Sequence, residues 1–163
     1  MSLARAVRTI GLILCLSGCG KVDGPGLFDG KVTGIKDGDT FEVLIDGSAE
    51  VVRLAHIDCP ERSQPFGKAA KQFASDLCFG KEVTVATDGK RDRYKRLIGV
   101  IHLTDGVVVN KELVREGLAW HFIKYSKDKS YDVLEGIARV ERKGLWADSI
   151  RVPPWEWRKS KPK

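Results

Sequence analysis

The chain has 163 residues, a size that suits one domain. Hydrophobic residues make up 42% of it, with four Trp and six Phe, which supplies a core and excludes wholesale disorder. The formal charge of +6 and pI near 9.2 favour anionic partners, nucleic acid or lipid headgroups, without separating the two.

Residues 1–18 read as an export signal. Arg5 and Arg8 form a basic start, and residues 10–16 form an apolar stretch too short to span a bilayer as a stable helix. Leu16-Ser17-Gly18-Cys19 resembles the bacterial lipoprotein cleavage box. That resemblance implies cleavage before Cys19, acylation there and a stable membrane anchor. Gly20, rather than Asp, follows the lipidated position, a pattern similar to outer-membrane sorting in enteric-type bacteria. Loss of Arg5 and Arg8 lowers the formal charge from +6 to +4. Residues 19–28 are then the lipidated cysteine and a short tether.

Further along, 31–35, 40–45 and 50–57 read as three strands in a meander. The first turn contains Gly38, expected at positive φ. Arg53 falls on the same strand face as Val51, Ala55 and Ile57. Pro60 and Pro65 break the pattern. A helix is predicted over 67–79, closed by Gly80. Strands at 82–86 and 97–103 flank a basic loop, 87–96. A short helix over 110–116 is expected to start on Asn110 as its cap. A last helix over 130–143 places Val133, Leu134, Ile137, Ala138 and Val140 on its apolar face. Residues 151–163 read as a Pro- and Trp-containing basic tail, with Lys159, Lys161 and Lys163 solvated. Five strands with a helix after the third suggest an α+β fold built on a small closed β-barrel with about three helices.

Acids and arginines concentrate in four stretches: Asp37-Gly38-Asp39-Thr40, Arg53, Asp58-Cys59-Pro60-Glu61 and Asp92-Arg93-Tyr94-Lys95-Arg96. Carboxylates at the ends of neighbouring strands suit a hard cation. Guanidinium forks suit a phosphate. Either acid alone reads equally as a turn residue, and either arginine as half of a structural ion pair. Cys59 and Cys78 remain after export, and their spacing does not settle a disulfide, so two separate thiols are expected. Trp120 and Phe122 read as core, whereas Tyr125 is open to contact with nucleotide. His56, His102 and His121 lack metal-ligand spacing, and there is no Ser-His-Asp set or Walker loop.

The order and spacing of these residues over roughly 29–150 resemble the staphylococcal nuclease family. The resemblance implies a five-stranded OB-fold Greek-key barrel. It implies Ca²⁺ held by Asp39, Asp58 and the backbone carbonyl of Cys59, where the family commonly has Thr. It implies Glu61 as general base, with Arg53 and Arg96 on the scissile phosphate. Arg93 and Tyr94 match positions that contact a neighbouring phosphate, and Lys95 stands where the family often has Gly. The expected activity is calcium-dependent, sequence-nonspecific hydrolysis of DNA and RNA to 3′-phosphates by an exported, envelope-anchored monomer. Degenerate domains of this family that only bind lack such acids or arginines; all five positions are present here.

Overall fold

The computed structural model describes Val22 and residues 24–160. The export signal, Cys19, Lys161 and Lys163 lie outside the described residues.

Five strands close a barrel in the order β1-β2-β3-β6-β5. They are β1 (Gly26–Asp37), β2 (Thr40–Ile45), β3 (Ser48–Leu54), β5 (Glu82–Arg91) and β6 (Leu97–Leu103). Neighbours run antiparallel except β3 and β6, whose parallel pairing of Val52 with Leu97 and Leu54 with Gly99 shuts the barrel. Alternation supplies the filling: Val32, Phe41, Val43, Val52, Leu54, Val83, Val85, Leu97 and Ile101 are buried, so the interior is packed. β1 begins pairing with β5 at Gly26, inside the segment expected to be tether.

The third predicted strand is broken. β3 ends at Leu54, His56 takes a φ of 69°, and a two-residue strand β4 (Ile57–Asp58) turns away to pair with β7 (Trp120–His121). Ile57 therefore leaves the face of Arg53. Glu50, Val52 and Leu54 face inward, so Arg53 stands on the outer face of the strand rather than on an apolar one.

Helix α1 (Gly67–Cys78) lays Ala70, Ala74 and Cys78 against the barrel. Helix α2 (Val109–Arg115) is not capped by Asn110, since the cap position is Val108. Asn110 is fully buried inside the helix and bonds to the barrel instead. Helix α3 (Lys129–Val140) is shorter than predicted and starts on Asp128, whose carboxylate accepts from the Ser130 N–H at 2.9 Å. It buries Tyr131 and Ala138, while Val133, Ile137 and Val140 are exposed. The narrow face is enough because α3 covers the barrel through α2 and the stacked rings of His56, Tyr131 and His121.

The tail is not solvated throughout. Residues Pro154–Ser160 form helix α4, bringing the α-helices to four among the described residues. Pro154 starts it, where a proline has no amide to lose. Trp155 stacks on Phe122 at 5.2 Å and meets Trp120 edge-on at 5.8 Å. Trp120, Ala138, Leu145 and Trp146 form the second, smaller core that receives it. No helix among the described residues is long and apolar enough to cross a membrane.

Candidate active site

The β1–β2 turn brings Asp39 to one end of the barrel, and β4 brings Asp58 to the same place. Gly38 makes this approach possible by size rather than by positive φ. A Cβ there would lie 2.8 Å from the Ala70 Cβ and 3.1 Å from the Cys59 Sγ. Both carboxylates are buried, Asp58 to 1% exposure and Asp39 to 6%. One guanidinium joins them: Arg53 Nη2 donates to Asp58 Oδ1 at 2.7 Å, and its Nη1 lies 3.2 Å from Asp39 Oδ2. Arg53 Nη1 also donates to the carbonyls of Leu54 at 3.0 Å and Ile57 at 3.1 Å, clamping the β3–β4 break. The Cys59 N–H donates to Asp39 Oδ2 at 2.8 Å, a second tie between the two acidic segments.

Glu61 follows Pro60 in a loop pinned by Gln64. The Glu61 N–H donates to Gln64 Oε1 at 3.1 Å, and the Gln64 N–H returns a bond to the Glu61 carbonyl at 2.8 Å. Gly67 lets α1 begin against this loop, for a Cβ there would sit 1.9 Å from the Glu61 carbonyl oxygen.

Arg96 arrives from the β5–β6 connection. Asp92 organises that turn by accepting from the N–H groups of Tyr94 at 2.9 Å and Arg96 at 3.0 Å, and from Arg96 Nε at 2.7 Å. Burial pushes the Asp92 carboxyl up, but these donors and the Arg96 charge outweigh it and hold the group below its ordinary value. Arg96 Nη1 reaches Thr40 Oγ1 at 3.1 Å, and Thr40 donates to Asp39 Oδ1 at 3.1 Å, so a continuous chain of contacts runs from Arg96 to the acids. Lys95 holds a φ of 64°, the left-handed conformation that glycine adopts without strain. Arg93 donates to the Tyr94 hydroxyl at 2.6 Å and lies over its ring at 4.7 Å; both stand exposed beside Arg96. Tyr125 is exposed on a separate loop, and its connection to the site runs through Phe122 and Trp155.

Electrostatically the site is a buried acidic pair under cationic cover. Burial raises the Asp58 carboxyl above its ordinary value despite its arginine partners. Asp37 is also raised, by burial and by the nearby charges of Asp39 and Glu61. Burial, with Asp39 and Asp58 nearby, pushes the Cys59 thiol up, so that residue carries no thiolate at neutral pH. Cys59 and Cys78 are separate buried thiols, as expected. His56 bonds to Ser126 Oγ at 2.9 Å and His121 to Asp132 at 2.6 Å, away from the acids.

Three residues at the site were given no role from sequence. Thr40 and Gln64 are polar links visible only once strands and loops are placed. The third is Arg158 of α4, which donates to Asp58 Oδ2 at 2.6 Å and Glu61 Oε1 at 2.7 Å. Its one sequence signal was a proline-led segment with two tryptophans at i and i+2 from Trp155.

Comparison with known proteins gives the same direction. Residues 51–148 match the family model described as "Staphylococcal nuclease homologue". The chain is 42% identical over 132 residues to an "Uncharacterized endonuclease" of Escherichia coli O157:H7, covering 81% of this chain and 86% of that protein. It is 41% identical over 143 residues to a "Micrococcal nuclease" of Shigella flexneri, covering 82% of each. An "Uncharacterized endonuclease" of Haemophilus influenzae is 41% identical over 130 residues, 79% of this chain and 72% of that protein. With its barrel, its clustered acids and arginines and these relatives, the chain belongs to the staphylococcal nuclease family.

Proposed function

We propose that this protein is a calcium-dependent, sequence-nonspecific nuclease. It hydrolyses phosphodiester bonds in DNA and RNA and leaves 3′-phosphates. The observation that carries this reading is the meeting of Asp39, Asp58 and Glu61 with Arg53 and Arg96 at one barrel end, from four separate stretches of the chain.

The donor set fits a hard divalent cation. Asp39 and Asp58 supply carboxylate oxygens and Cys59 a backbone carbonyl. Among the described residues no group of three or more His, Cys, Asp or Glu side chains is placed to hold a metal, so the assignment rests on the two carboxylates and on the family resemblance. Calcium, when bound, would neutralise charge on the phosphate.

The chain's own residues do the rest. Glu61 accepts a proton from a water as its oxygen attacks phosphorus. Arg53 and Arg96 donate to the non-bridging oxygens and stabilise the added charge of the transition state. The P–O5′ bond breaks, the 5′ oxygen takes a proton from solvent, Glu61 returns its proton to solvent, and the phosphate stays on the 3′ side. Arg93 and Tyr94 bind the neighbouring phosphate, and Tyr125 offers a ring for a base. Because the roles assigned here fall on phosphates and a base face rather than on base edges, little sequence preference is expected. Acylation at Cys19 would hold this monomer at the bacterial cell envelope, on the periplasmic or outer-membrane side.

Incubation with single- and double-stranded DNA and RNA, with calcium or with excess chelator, tests the reading. Cleavage with calcium alone, giving 3′-phosphate ends, supports it. Binding without cleavage under every divalent cation would instead assign the chain to the binding-only members of its family.

A further inference from the structure

Arg158 occupies the carboxylates that the proposed function assigns to the cation and to the general base. Its position follows from the docking of α4. β4 and β7 pair Asp58 directly with Trp120. Trp155 packs on Trp120, and Arg158 lies three residues further along, on the same helix face. Seating Trp155 on Trp120 therefore sets Arg158 over Asp58. Gln64 reinforces the arrangement: its Nε2 donates to the Val152 carbonyl while its Oε1 accepts the Glu61 N–H. The linker into α4 and the Glu61 loop are thus held by one side chain.

The two arginines on Asp58 differ in how firmly they are held. Arg53 is 14% exposed and is fixed by two backbone carbonyls besides both acids. Arg158 is 43% exposed, and its guanidinium contacts here are to Asp58 and Glu61. A guanidinium with that much access to water is rehydrated as it leaves, which offsets part of the cost of taking a partner from the buried Asp58, whereas Arg53 is part of the frame.

Resting on the assignment of Asp39 and Asp58 to the cation, we propose that Arg158 is a tethered competitor for the divalent cation. In the structure it caps Asp58 Oδ2 and Glu61 Oε1, and it must swing away before a cation reaches Asp58. A guanidinium at 2.6 Å and a divalent ion compete for the same carboxylate oxygen, and their like charges repel. Cation binding and release of Arg158 are therefore linked, and the linkage is reciprocal: Arg158 weakens cation affinity, and the cation loosens α4. Without the cation, Arg158 keeps the acids neutralised and Glu61 engaged.

Calorimetric titration of the full chain in detergent with calcium, without substrate, tests this. Arg158→Ala should tighten calcium binding about tenfold or more, because its charge-assisted contacts to Asp58 and Glu61 no longer compete with the cation. Arg158→Lys should fall between, and Trp155→Ala, which undocks the helix while keeping the arginine, should also tighten it. Near-ultraviolet circular dichroism confirms that each variant is folded. In the wild type, calcium should speed amide exchange in residues 154–160. Asp39→Ala separates the two ideas. If it abolishes binding while Arg158→Ala leaves affinity unchanged or weaker, competition by Arg158 is overturned and the cation site stands. If Asp39→Ala leaves affinity unchanged, or no calcium binds at all, the cation assignment falls and the competition with it.

Discussion

Asn110→Ala should be among the most destabilising single changes in this protein, although Asn110 touches no acid of the site. The residue is 0% exposed. Its Oδ1 accepts the Ile101 N–H at 3.0 Å, and its Nδ2 donates to the Ala55 carbonyl at 3.0 Å and the Gly99 carbonyl at 3.3 Å. Gly99 keeps a partner after truncation, because the Ala55 N–H donates to it at 2.8 Å. Ile101 lies beyond the short stretch where β6 pairs with β3, so its N–H loses its acceptor, and the Ala55 carbonyl loses the amide. Two orphaned backbone groups at about 1–3 kcal/mol each give about 2–6 kcal/mol, with about 3–4 kcal/mol near the middle of that range. That is a large part of the roughly 5–15 kcal/mol of an ordinary domain. With a urea slope of about 2 kcal/mol per molar, the midpoint should fall by about 1.5–2 M at unchanged slope. Tryptophan fluorescence in a urea titration reads this directly. A shift worth less than about 1 kcal/mol would refute the reasoning, since the two groups would then have found other partners. Ala55 leads into β4, so loss of this bond should also loosen Asp58.

Arg53→Lys should lower the cleavage rate about 100-fold or more, because one ammonium cannot reproduce a fork that reaches both acids and two carbonyls; an unchanged rate would leave Arg53 a dispensable ion pair. Lys95→Gly should relieve left-handed strain of about 1–2 kcal/mol against a glycine entropy cost of roughly 0.5–1 kcal/mol. The expected net rise in Tm is about 1–3 °C, and a fall would show that the lysine side chain holds the turn. Asp92 has its carboxyl held below the ordinary value, so its contribution to stability is full above about pH 4 and is lost as pH falls through the folded value. Asp92→Asn should therefore cost about 1 kcal/mol at neutral pH and flatten the stability–pH slope below about pH 4. An unchanged slope in acid denaturation would remove Asp92 from that role.

The five barrel strands were legible because alternation of apolar and polar residues survives in 40–45, 48–54 and 97–103. The barrel topology was legible only through the family resemblance, since a parallel closure of β3 on β6 leaves no mark on either strand alone. The site residues were legible as a set through their resemblance to a family, and the structure brings Asp39, Asp58, Glu61, Arg53 and Arg96 into one connected group. The break at His56 was hidden, because 50–57 alternates as a single strand would and only the pairing of β4 with β7 bends it. Asn110 looked like a cap because asparagine usually is one; here tertiary bonds to the barrel took the side chain. Arg158 was hidden in a basic tail. Its role depends on where Trp155 docks, and that is a property of the second core rather than of the tail.

The most direct test of the account compares the wild type with Glu61→Gln in calcium, measuring both DNA cleavage and DNA binding. The substitution keeps the size of the side chain and removes its capacity to take a proton. The account predicts that turnover is largely lost while binding is retained, because the arginines that hold phosphate are untouched. Turnover close to that of the wild type would contradict it, since no general base would then reside at Glu61.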